Sequence, residues 1–155
     1  MNNAIKTGLI LFGALVISRL LPLPANSEPL LGLAVLTPYL TKNNLAFLVY
    51  STFPLAVMLV SDIFLGLTSD SPMFGDWMWF TYSALAVAPF ISKAIDNKYI
   101  ALGCSWIVWH VLANIMGPAA PFTLGSLLFD IKLLVSGLSV VILYDIASKQ
   151  WVKAT

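Results

Sequence analysis

Apolar residues run in long blocks along this chain, broken at intervals by short polar or proline-rich stretches. The blocks predict six helices, at about residues 4–21, 29–40, 45–67, 77–95, 99–116 and 121–147. Pro22 and Pro24 close the first, because proline lacks an amide donor and disfavours helix before it. The second holds Pro38 and is short for a membrane crossing, so a tilted, broken or re-entrant helix is expected there. Pro54 falls inside the third segment, where neighbouring helices absorb a kink. The polar stretch from Thr68 to Asp76 precedes Trp77 and Trp79, aromatic residues of the kind that sit at a membrane interface. Gly117-Pro118 ends the fifth segment, and the sixth is long enough to tilt or protrude.

Composition turns this pattern into a membrane reading. The chain has 155 residues, of which 59% are hydrophobic and 10% charged. Its mean hydropathy is +0.91, outside the range of soluble globular proteins. Six spans of roughly 20 residues nearly exhaust it, so a single transmembrane domain over residues 1–155 is expected, an all-α six-helix bundle. The formal net charge of +1 leaves no basic surface for nucleic acid. Cys104, the single cysteine, has no internal partner for a disulfide.

The lysines then set an orientation. Lys6, Lys42, Lys93, Lys98, Lys149 and Lys153 fall at the termini or in alternate gaps, whereas Glu28, Asp70 and Asp76 fall in the others. Basic loops resist translocation, which predicts an inner or plasma membrane location with both termini cytoplasmic. The first apolar run has the layout of a signal peptide, but Arg19 interrupts its end, and it is read as the first span.

Polar groups inside spans are costly and so mark candidate sites. Arg19 lies near the outer end of segment one, and the loop carrying Asn26 adjoins it. Asp62 lies in the outer third of segment three, and Asp130 and Lys132 lie in segment six. Trp106, His110 and Asn114 recur every four residues, so they share one face of segment five. Together these residues suggest a substrate pocket open to the outside. The competing reading is structural. Arg19 and Asp62 then pair with each other, and Asp130 and Lys132, pointing to different faces, each need a partner on another helix. For His110 an interhelical hydrogen bond outweighs a metal or pigment ligand. Trp106 and Trp109 are more often packing groups than ligand-stacking ones. Ala4 and Gly8 form a small-xxx-small pair suited to helix docking. No metal-ligand cluster, nucleotide-binding glycine motif or nucleophile elbow is present, so no cofactor is implied and an enzyme is disfavoured.

The stretch Arg19-Leu20-Leu21-Pro22-Leu23-Pro24-Ala25-Asn26, with Pro29 and the following Gly32-Leu33-Ala34, resembles a family of small, uncharacterised bacterial membrane proteins. Pro54 followed by Ser61-Asp62-Ile63-Phe64-Leu65-Gly66 is a second match, and Asn114 followed by Pro121-Phe122-Thr123-Leu124-Gly125 a looser third. That family in turn resembles the S components of energy-coupling-factor transporters. The resemblance implies a six-helix, membrane-embedded subunit that captures a small molecule outside and docks on a T component with two ATPases. The alternative is a structural or accessory subunit of a larger respiratory or photosynthetic membrane complex, with His110 as its pigment ligand.

Overall fold

The computed structural model describes residues 29–68, 75–76, 78–116 and 124–154. These residues form helices and short connections, with no strand among them. The helices are α1 (Leu30–Leu40), α2 (Asn44–Thr68), α3 (Met78–Ala94), α4 (Lys98–His110) and α5 (Leu124–Ala154). A π-helix over Val111–Met116 continues α4. The predicted segments two to five match these elements to within a residue or so. The sixth runs further than expected, to Ala154. Segment one lies outside the described residues.

Side-chain caps explain two of the starts. Asn43 Oδ1 accepts from the amides of Leu45 (2.8 Å) and Ala46 (3.2 Å), satisfying donors that the first turn of α2 leaves without a helical partner. Asn97 Oδ1 does the same for Tyr99 (2.9 Å) and Ile100 (3.3 Å) at α4.

The shortest helix is the centre of the bundle. α1 has 11 residues and packs against each of α2, α3, α4 and α5. At 1.5 Å per residue it is only about 16 Å long, half the ~30 Å of a bilayer's hydrocarbon core. Most of it is apolar because most of it is buried: Leu31, Ala34 and Val35 are 0% exposed, and only its last turn opens outward at Leu40. Gly32 lets α5 come close. A Cβ there would lie 2.5 Å from the Gly137 carbonyl oxygen and 2.8 Å from the Gly137 Cα.

Two helices, α2 and the 130–149 portion of α5, are long and apolar enough to cross a membrane by length and composition. Their most apolar windows are only 33% and 17% buried, so most of that apolar surface points away from the bundle. Along α5 the outward positions include Leu128, Ile131, Val135, Ile142, Leu143 and Ile146. Such outward apolar positions on two long helices are consistent with membrane association.

Candidate functional site

The end of α2 meets the start of α3 through Asp62 and Tyr82, and the end of α4 meets the start of α5 through His110 and Asp130. At that end, Trp106, His110 and Asn114 line one face of α4 and its π continuation, as their spacing predicts, and all three meet Asp130 of α5. Asp130 is 1% exposed. Its Oδ2 lies 2.5 Å from His110 Nδ1 and 2.5 Å from Asn114 Nδ2. The indole N–H of Trp106 donates to the Asp130 backbone carbonyl at 2.7 Å. The Trp106 and His110 rings stack, with centroids 6.0 Å apart and an interplanar angle of 19°.

This geometry assigns the imidazole tautomer. A carboxylate accepts only, so His110 Nδ1 carries the hydrogen and donates it. Asn114 Nδ2 is 3.2 Å from Nδ1, but a protonated Nδ1 cannot accept, so its amide hydrogen goes to Asp130. Asp130 thereby holds the ring in place. The π-helix begins directly after His110 and contains Asn114, the kind of local irregularity that recurs at functional sites.

A second polar pair occupies the same end. Asp62 of α2 is 7% exposed and accepts from the Tyr82 hydroxyl of α3 at 2.9 Å. Beside it, Leu59, Gly75, Met78, Trp79 and Tyr82 line a largely apolar cavity of about 320 Å³. Periodicity does not single out Tyr82 as the partner; α2 and α3 must pack before the two residues are neighbours.

Other expected site residues fall elsewhere. Lys132 is exposed on α5 and does not join the Asp130 cluster, since two residues along a helix turn the side chain to another face. Trp109 is 6% exposed and belongs to the apolar core. Arg19, Asn26, Ala4 and Gly8 lie outside the described residues, as does the expected Arg19–Asp62 pair.

The opposite end is more polar than expected. There Lys98 Nζ is 2.6 Å from Asp145 Oδ1, and the Tyr99 hydroxyl donates to Asp145 Oδ2 at 2.6 Å. Ser92 Oγ donates to the Val35 carbonyl at 2.6 Å and Tyr39 to the Asp96 carbonyl at 2.9 Å. The hydrogen bond to Asp145 raises the Lys98 pKa above the ordinary lysine value, against a smaller lowering by burial. The sequence reading missed Asp145; the signal was a carboxylate one turn before Lys149 on a helix whose partner begins at Lys98.

The model of the Family of unknown function (DUF6580) matches residues 1–123. That span holds Asp62, Tyr82, Trp106, His110 and Asn114 and ends just before α5, which carries Asp130. No curated protein and no solved structure matches the chain.

Proposed function

The chain belongs to that family of unknown function, and we propose that it is a membrane-embedded, substrate-binding subunit for uptake of a small molecule. In this reading it is a six-helix bundle with both termini in the cytoplasm, resembling the S component of an energy-coupling-factor transporter. It is not an enzyme; its partners are the bilayer and a T component with ATPases. The outward apolar faces of α2 and α5 support the membrane setting. The lysine-bearing end, with Lys42, Lys93, Lys98 and Lys149, supports the orientation.

The observation that carries the reading is the gathering of two buried polar sites and an apolar cavity at the other, outer end. A small-molecule site needs a mostly apolar concavity with a few placed polar groups. Tyr82 lines the cavity of about 320 Å³, and its hydroxyl is held by Asp62 behind it. His110, bonded to Asp130, and Trp106, stacked on His110, lie at the same end. Arg19 and Asn26, by their place in the sequence, add polar contacts from segment one and its loop.

One observation favours a second reading, an accessory subunit of a larger membrane complex. Trp106, His110, Asn114 and Asp130 bond one another, as interhelical glue does. Native mass spectrometry of the protein purified from its membrane separates the two. Retention of a small molecule that is lost in Tyr82→Phe and His110→Ala, without a comparable fall in thermal stability, is the expected result. Retention of stoichiometric membrane subunits and no small molecule would refute the substrate-binding reading in favour of the accessory one.

A further inference from the structure

At the lysine-bearing end a second cavity, of about 330 Å³, opens between the α1–α2 and α3–α4 connections. Its lining combines Tyr39, Thr41, Lys42, Asn44, Lys93 and Asp96 with apolar walls. Lys93 is held in place there. Its Nζ donates to Asn44 Oδ1 at 3.0 Å and lies 4.5 Å from the centroid of the Phe47 ring. Phe47 is buried and packs edge-to-face on Phe90 at 5.5 Å, so the platform under the ammonium is fixed. An ammonium has three hydrogens, and Asn44 takes one. Lys42 is exposed on the short connection before α2. Thr41 Oγ1 accepts from the Asn43 amide at 3.1 Å, which leaves its own hydroxyl hydrogen to donate. Asp96 opposes an anion, but its one negative charge faces two positive ones in the same lining.

We infer that this cavity binds a phosphate-ester anion, the headgroup of an anionic membrane phospholipid. Two ammonium groups and a hydroxyl around one space suit phosphate oxygens better than a neutral ligand. The volume falls at the small end of ligand cavities, about 300–1,000 Å³, enough for a headgroup and not for a whole lipid. The apolar side chains of Leu40, Leu45 and Phe90 are exposed around the same end, where acyl chains of a seated lipid would run. Basic pockets between helices at a cytoplasmic interface are suited to such headgroups. The inference rests on the membrane setting proposed above but not on the substrate site, which lies at the other end.

The test uses the full chain in non-ionic detergent, with native mass spectrometry after addition of short-chain phosphatidylglycerol or phosphatidylcholine. The wild type should retain phosphatidylglycerol in preference. Lys42→Gln and Lys93→Gln should each weaken retention about fivefold, the scale of one basic residue near an anionic lipid surface. Lys149→Gln, which removes the same charge at the same end outside the cavity lining, should leave retention unchanged. Equal retention of both lipids by the wild type, unchanged retention in the Lys42→Gln/Lys93→Gln double variant, or an equal loss in Lys149→Gln would overturn the site. Soluble glycerol phosphate distinguishes the source. Displacement only at large excess supports the lipid; displacement at matched concentration overturns the lipid assignment in favour of a free phosphate ester.

Discussion

Replacing His110 by Leu removes the Nδ1 donor from Asp130 and leaves a carboxylate that is 1% exposed with one fewer charge-stabilising contact. Two effects bound the cost. In soluble proteins, removing one partner of a buried ionic pair costs about 3–5 kcal/mol. Interhelical hydrogen bonds in membranes average about 0.6 kcal/mol and reach about 1.7, because the unfolded state in the bilayer also finds partners. Asn114 still donates to Asp130 at 2.5 Å, so the carboxylate is not stripped, and the lower bound should dominate. A loss of about 1–2 kcal/mol is expected. The double variant His110→Leu/Asp130→Leu should recover most of it, since apolar replacement of both partners removes the desolvation cost together with the bond. Intrinsic tryptophan fluorescence, to which Trp106 and Trp109 of α4 contribute, reports unfolding as denaturing detergent is titrated into mixed micelles. A double variant that loses the sum of the separate His110→Leu and Asp130→Leu losses, with no coupling between the sites, would refute the pairing.

Two further predictions concern packing and pH. Gly32→Ala should destabilise the fold by about 1–3 kcal/mol, because its Cβ meets Gly137 backbone that cannot rotate away, whereas Gly103→Ala, with nothing within 4 Å, should be neutral or gain up to about 1 kcal/mol in the same unfolding assay. The Lys98 pKa is raised in the folded protein, so its stabilising effect is complete below the ordinary lysine value and is lost as pH rises through the raised one; Lys98→Gln should abolish that alkaline loss of thermal stability, and an unchanged alkaline limb would count against the Lys98–Asp145 bond.

The positions of α1 to α4 were legible in the sequence because helix boundaries are local. Asn97 caps the helix that begins at Lys98, prolines and polar gaps interrupt the apolar runs, and the bonds that hold each helix run within it. The shared face of Trp106, His110 and Asn114 was equally legible, since a period of 3.6 residues places it whatever the helix packs against. So was the need of Asp130 for a partner on another helix, because burying a charge in an apolar bundle is costly without one.

Which partner each polar group takes was decided only by the tertiary structure. Asp62 and Tyr82 are 20 residues apart, Asp130 and His110 likewise, and Tyr99 and Asp145 are 46 apart. Their meeting depends on how far each helix is rotated about its axis and how deeply it sits against its neighbours. That setting comes from packing. The 11-residue α1 wedges among four longer helices, and the Gly32–Gly137 contact brings α1 and α5 together. A mean apolar content records none of this, because an apolar residue that faces the core and one that faces outward, such as Leu133 and Val135 on α5, look alike in the sequence.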